Sequence, residues 1–331
     1  MPLTEVDIET ALIPLPRYSL LAHRPGDPAN SAGRVHRVMQ LITREQLPPE
    51  QQRATLLAML AVVNGYVEGN PGDIGTWPKL EPLRPHWATL IEHADRAEIA
   101  EPTSRLMNEL GQLLIAKASY KEAEPLMRRA LVIDEQSFGT DHHYVAIRLN
   151  NLAALLLAAN RLGEAEPLMR RALAIDEQSF GTDHPEVAIT LNNLAQLLQA
   201  TNRLGEAEPL MRRALAIDEQ SFGTDHSSVA IDFNNLAQLL QATNRLGEAE
   251  PLMARVVIIF EKSLGENHPN VATALNNLAA LLQDTNRLGE AEPLMRRALA
   301  IFVNSLGADH PSSLTVAKNY RRLLDEMHSA S

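Results

Sequence analysis

Apolar positions in this chain follow two superposed periods. Over short stretches they keep the three-and-four spacing of one helix face. Val187, Leu191, Leu194, Ala195 and Leu198 form one such stripe, and Ala207, Leu210, Met211, Ala214, Leu215 and Ile217 form the next. Over longer stretches the whole pattern returns every 42 residues. The string Arg-Leu-Gly-Glu-Ala-Glu-Pro-Leu-Met occurs four times, with its glycine at Gly163, Gly205, Gly247 and Gly289, and a divergent copy over 120–127 precedes them. Residues 163–204 and 205–246 differ only at Pro185/Ser227, Glu186/Ser228, Thr190/Asp232 and Leu191/Phe233, which points to duplication within the gene.

Each period reads as two helices. In the third, Asp183 is placed to cap the first helix, and Glu186 completes a capping-box spacing. The chain then turns at Asn202-Arg203. A second helix opens near Leu204 with Pro209 in its first turn, where a missing amide proton costs nothing. Gly223 ends that helix as a left-handed cap, and Gly139, Gly181, Gly265 and Gly307 hold the equivalent place. Glu124–Arg128, Glu166–Arg170, Glu208–Arg212 and Glu292–Arg296 carry the favourable order for ion pairs on a solvated helix face.

This spacing predicts five helix hairpins at about 103–138, 143–180, 185–222, 227–264 and 269–306. A final helix at about 311–327 carries Lys318, Arg321, Arg322 and Asp325, a polar face suited to closing the open end of a stack. One substitution pattern tests the packing. Hairpins one to three end with Phe138, Phe180 and Phe222, whereas the last two carry Phe260 and Phe302 four residues earlier, with Leu264 and Leu306 behind. A four-residue move stays on one helix face, so the expectation is a compensated core exchange; the competing reading is an exposed apolar patch near 256–260.

Composition narrows the classes of function. A net charge of −11 disfavours nucleic acid as a partner, because phosphate binding needs clustered Lys and Arg. The absence of cysteine removes disulfides, thiolate metal sites and a cysteine nucleophile, and it suits a reducing cytoplasm. The N-terminus lacks a cationic and apolar leader pattern, and no apolar run is long enough to span a bilayer, so a cytoplasmic protein without a membrane partner is expected. Phosphate-loop, nucleophile-elbow, dinucleotide, zincin and calcium-loop motifs are all missing. The recurring His142, His184, His226, His268 and His310 stand one period apart, too widely spaced to share a metal ion, and read as capping-loop residues. The expectation is therefore a non-enzyme with no cofactor and no metal site.

Leu-Asn-Asn-Leu-Ala, Glu-Ala-Glu-Pro-Leu, Arg-Arg-Ala-Leu-Ala-Ile and Gly-x-Asp-His-Pro at this period resemble tetratricopeptide repeats of the kinesin-light-chain type, over about 103–327. The resemblance implies an all-α fold: a right-handed superhelix of five hairpins plus a capping helix, whose concave face receives a protein or peptide. Carried onto this chain, the groove positions are Asn108, Asn150, Asn192, Asn234 and Asn276. One turn on come Gln112, Ala154, Gln196, Gln238 and Ala280, and beyond them Ile115, Leu157, Gln199, Gln241 and Gln283. Carboxamides offer donors and an acceptor to a peptide backbone, so the first asparagine series is expected to be exposed in the groove. Asn151, Asn193, Asn235 and Asn277 are expected to bridge helices instead.

Residues 1–100 do not repeat and form a small, mainly helical segment before the solenoid at 101–331. A strand at 18–22, a helix starting at Val35 and another over about 49–66 are expected, then a turn-rich break around Gly69 to Gly75. Arg17-Tyr18-Ser19-Leu20, Val35-His36-Arg37-Val38-Met39-Gln40, Thr76-Trp77-Pro78 and Leu83-Arg84-Pro85-His86 resemble the winged-helix end of NB-ARC-type STAND NTPases. That resemblance implies the partner-binding arm of a regulator with an upstream NTPase domain, and makes His36 a candidate nucleotide sensor. An alternative is a self-associating structural module.

Overall fold

The computed structural model describes residues 48–67, 71 and 76–330. The expected strand at 18–22, the helix from Val35 and the candidate sensor His36 lie outside those residues. Every regular element among the described residues is helical: α1 (Pro49–Tyr66), α2 (Trp77–Leu80), a 3-10 turn (Glu81–Leu83) and α3 (Arg84–Arg96) precede the hairpins. The hairpins are α4 (Thr103–Ala116) with α5 (Tyr120–Phe138), α6 (His143–Ala158) with α7 (Leu162–Phe180), α8 (Pro185–Ala200) with α9 (Leu204–Phe222), α10 (Ser227–Ala242) with α11 (Leu246–Leu264), and α12 (Pro269–Asp284) with α13 (Leu288–Leu306). Helix α14 (Pro311–Ala330) follows. The chain divides into two compact units, one ending at Ile175 and the other beginning at Asp176, so the division falls within α7.

In the first unit the segment after the turn-rich break is more helical than its prolines suggest. Pro78, Pro82 and Pro85 each fall at the first or second position of α2, the 3-10 turn and α3, where no intrahelical amide bond is lost. Leu60, Trp87, Leu90, Leu106 and Leu113 are fully buried there. Each such burial contributes roughly 1.5–3 kcal/mol, which fixes these short helices against the first hairpin. The guanidinium of Arg129 on α5 grips the Asp95 carboxylate of α3 through three contacts of 2.7–3.0 Å.

In the second unit each hairpin buries the stripes seen in the sequence: Val187, Leu191, Leu194 and Leu198 of α8 against Ala207, Met211, Ala214 and Ile217 of α9. Three local details differ from the sequence expectation. The N-cap of α8 is His184, not Asp183: its imidazole Nδ1 accepts the Glu186 amide at 3.2 Å. His142, His226, His268 and His310 cap their helices in the same way at 3.1–3.3 Å. Pro209 is the sixth residue of α9 rather than part of its first turn. The carbonyl it leaves without a partner belongs to exposed Gly205, so water can take the bond. Gly223 has φ +81° and ψ 161°, an extended conformation at positive φ that only glycine adopts readily, rather than a left-handed helical one. The reversal inside each hairpin does use the left-handed helical region, at Asn202 with φ +59°, and the Arg203 amide reaches back to the Leu198 carbonyl at 2.8 Å.

The aromatic shift is not an exchange of one core aromatic for another. Phe222 is 45% exposed and its ring stacks on His226 at 4.5 Å, while Phe260 is only 8% exposed. The residue that Phe260 and Phe302 replace is a buried aspartate, Asp134, Asp176 or Asp218, one turn before the exposed phenylalanine. Each aspartate meets the residue fourteen positions on, in the following first helix. Asp134 accepts from Arg148 at 2.8 Å, and Asp176 accepts from the Thr190 hydroxyl at 2.6 Å. Asp218 meets the buried Asp232. Where phenylalanine enters, the facing residue becomes Ala274 or Val316, so a polar pair gives way to an apolar one. The competing reading, an exposed apolar patch at 256–260, does not hold either: Val256, Val257, Ile259 and Phe260 are buried, and only Ile258 projects.

Candidate binding surface

The first helices of the second unit carry no lysine or arginine between Pro185 and Asp284 on α8, α10 and α12. What they carry instead is carboxamides. A cavity of about 400 Å³ is lined by Gln196, Gln199 and Ala200 of α8 with Asn235 and Gln238 of α10. Gln196 and Gln238 are exposed, while Gln199 and Asn235 are half-buried. Beyond the cavity, Gln241 donates to the Asp284 carboxylate at 2.6 Å, and Gln283 donates to Glu326 at 2.5 Å. Asp284 and Glu326 are both exposed, so this end of the surface is acidic.

The asparagines divide differently from the sequence expectation. Asn192 is only 9% exposed, and its amide donates to Asp232 Oδ1 at 2.5 Å, tying α8 to α10. Asn277 donates to Asn234 at 3.0 Å and Asn319 donates to Asn276 at 3.1 Å. In the first unit Asn108 is 3% exposed and accepts from Asn151 at 3.0 Å, while Asn150 and Gln112 are half-buried. Exposure was expected for the series from Asn108 to Asn276, and Asn108 and Asn192 do not have it. The reason is geometric. Successive residues on a helix are about 100° apart, so the first asparagine of a pair turns toward the following first helix and the second toward the preceding one, as Asn234 with Asn277 and Asn108 with Asn151 show. There they satisfy one another rather than a ligand, and the outward positions fall to the glutamines.

A tetratricopeptide-repeat family model matches residues 102–178, 161–220, 186–257 and 228–302, together well over half of the chain. The chain belongs to the tetratricopeptide-repeat family. This fold is generally a non-catalytic scaffold for protein partners. Curated protein sequences offer no significant match. Among solved structures the chain is similar to a putative kinesin light chain with nearly identical TPR-like repeats from Podosopora anserina, at 26% identity and TM-score 0.52, covering 62% of this chain and 99% of that one. It is also similar to BtubC (BKLC) from P. vanneervenii, at 23% identity and TM-score 0.59 over 70% of this chain and 94% of that one. RapI in its apo form shares the fold at 12% identity and TM-score 0.57, over 97% and 86% of the two chains.

On the second helices of these tetratricopeptide repeats the structure places charged straps that the sequence reading treated only as local pairs. Glu208 accepts from Arg212 of its own helix at 2.7 Å, as the spacing predicts, and also from Arg245 of the next hairpin at 2.8 Å. Both guanidiniums hold the Glu208 carboxyl below the usual carboxylate range, with the Arg212 hydrogen bond the larger cause. Arg213 reaches back the other way, to Glu177 and to the Thr182 carbonyl, each at 2.7 Å. The signal was present in the doubled Arg-Arg of four of the five hairpins: the first arginine serves its own helix and the second serves the element before it. No cluster of His, Asp and Glu suited to a metal ion occurs among the described residues, and none of their helices is long and apolar enough to cross a membrane.

Proposed function

We propose that the chain is a cytoplasmic, non-catalytic scaffold that binds an extended protein or peptide segment across the carboxamide-lined first helices of its second unit. The supporting observation is the cavity between Gln196, Gln199, Ala200, Asn235 and Gln238, whose polar groups are uncharged and can both donate and accept. A peptide backbone presents alternating donors and acceptors, which carboxamides match without demanding a particular side-chain sequence. The exposed Asp284 and Glu326 favour a ligand with a neutral body and a basic end over an acidic one. The finer reading, a partner-binding arm of a STAND-type regulator, rests on the resemblance of residues 10–95 alone.

Selection of ligands from a random peptide library on the full chain tests this. Neutral and basic sequences should dominate. Replacing Gln196 and Gln238 together with Ala should weaken the selected peptides by roughly 1–3 kcal/mol in calorimetry, at ~0.5–1.5 kcal/mol per hydrogen bond. Replacing Arg212 should leave their affinity unchanged. Peptides that ignore the glutamine changes but respond to Arg212→Ala would move the binding surface to the second helices and overturn the reading.

A further inference from the structure

The aspartates at the ends of α5, α7 and α9 occupy one structural position, and the residue facing each should supply a donor. Arg148 does so for Asp134 and Thr190 does so for Asp176. At the third position the facing residue is itself an acid. Asp218 is 5% exposed and Asp232 1% exposed, and the two carboxyls hold the same fourteen-residue register as the bonded pairs 134/148 and 176/190, with Asp218 Oδ1 and Asp232 Oδ2 both buried and without a donor. Two ionised carboxylates facing each other in a buried site repel, so one of them holds a proton. Asp232 Oδ1 is taken by the Asn192 amide at 2.5 Å, whereas Asp218 Oδ1 and Asp232 Oδ2 are buried with no other donor. A single proton held between the two carboxyls satisfies both orphan oxygens.

The position of this pair gives the proton a consequence. Asp218 lies on α9 and Asp232 on α10, while Asn192 lies on α8, so a chain of bonds runs across three helices of the second unit. Asn192 is one turn before Gln196, and Asp232 is three residues before Asn235. The bonded chain therefore sits one turn from the cavity wall on both helices that form the cavity. We infer that the proton shared by Asp218 and Asp232 is a pH-sensitive latch that sets the spacing of α8 and α10, and with it the width of the carboxamide-lined cavity. Removing the proton leaves two buried like charges in contact, which push α9 and α10 apart and strain the Asn192 bond.

Burial is the first cause acting on both acids, and it raises both; Asp232 is pushed up to about 7, with the Asn192 bond opposing and the Asp218 charge adding. The other charged groups acting on the pair are His226, at the cap of α10, and Glu219, beside Asp218. The sign follows from proton linkage. The unfolded chain loses this proton in the ordinary carboxylate range, and the folded chain keeps it until near neutrality. The stability it contributes is therefore present at mildly acidic pH and is lost as pH rises through about 7.

The test uses the full chain and needs no ligand, so its outcome is separate from that of the peptide-binding reading. Because the sequence has no cysteine, Gln196→Cys and Gln238→Cys give two unique spin-label sites on the cavity rim. Between about pH 5.5 and about pH 8.5 the unfolding equilibrium constant should rise by about tenfold or more, and the inter-label distance distribution should shift or broaden. Asp232→Thr, which copies the facing residue of the preceding repeat, should abolish the distance change and reduce the rise to the roughly few-fold effect that buried Asp176, pushed up to about 6, contributes in every variant; Asp232→Asn, which cannot ionise, should do the same. The imidazole caps are common to all these proteins, so the difference between variants isolates the acid pair. Parallel pH profiles in the wild type and Asp232→Thr, or a pH-dependent stability with an unchanged inter-label distance, would overturn the latch.

Discussion

The ring of Phe222 lies 4.5 Å from the ring of His226 in a stacked arrangement, across the loop that joins one hairpin to the next. The stack holds the imidazole so that its Nδ1 accepts the Ser228 amide at 3.2 Å. An N-cap contributes about 1 kcal/mol, so His226→Ala should lower the stability of the second unit by about that amount in urea unfolding. His226→Asn should retain most of it, because asparagine also caps well. Equal losses from the two variants would mean that stacking, not capping, is the contribution.

These residues show what was and was not legible in the sequence. The 42-residue period located the five hairpins, because each helix face repeats the same apolar spacing, each hairpin ends on the same Gly signal, and four of the five turns repeat Asn-Arg. Capping chemistry was misassigned by one residue, since Asp183 and His184 both offer an acceptor and only the backbone geometry chooses between them. The repeated carboxamides were visible in the sequence, but spacing alone cannot say which of them are tied up between neighbouring helices, as Asn108 and Asn192 are. Asn192 and Asp232 are 40 residues apart, and their bond depends on how two hairpins pack. Thr190/Asp232 was visible as one of four differences between near-identical copies, yet its meaning appears only when Asp218 is seen opposite.

Gly111 stands where later hairpins have Ala153, Ala195, Ala237 and Ala279. A Cβ added there would lie 2.7 Å from Met127 Cγ, closer than the present packing allows. The same alanine–methionine pair is nevertheless fully packed elsewhere, with Ala195 and Met211 both wholly buried. Met127 can therefore adopt the arrangement of its counterparts. Gly111→Ala should then raise stability by about 0.5–1 kcal/mol through helix propensity. A lower thermal midpoint would show that the first hairpin cannot relax as the others do.

Removal of residues 205–246, one full period, joins Leu204 to Gly247, takes out the Asp218/Asp232 pair whole and leaves the other fourteen-residue pairs intact, including Asp176–Thr190 and Phe260/Ala274. Each repeat meets only its neighbours, so the shortened protein should remain helical and unfold cooperatively. Removal of 205–225 alone takes out α9 and leaves the apolar faces of α8 and α10 without their hairpin partner. That protein should lose its cooperative melt by circular dichroism. Equal loss of structure in both deletions would place the repeating unit in a different frame.

The exchange of a polar for an apolar pair along the array predicts a rescue. Phe260 faces Ala274 where Asp134 faces Arg148, and Phe260 and Ala274 are both nearly inaccessible to water. Phe260→Asp alone buries an acid with no donor and removes a large apolar side chain, so it should cost roughly 3 kcal/mol or more. Ala274→Arg alone should also destabilise, because a long cation enters a filled site without a partner. Together they rebuild the earlier pair: arginine fills the volume that phenylalanine vacates, and its guanidinium can reach the new carboxylate as Arg148 reaches Asp134, at 2.8 Å. A double-mutant cycle in urea should therefore show a favourable coupling of about 1–3 kcal/mol. If the two losses simply add, the hairpin interfaces at 134/148 and 260/274 are not interchangeable, and the array is more specialised at each joint than its repeated sequence implies.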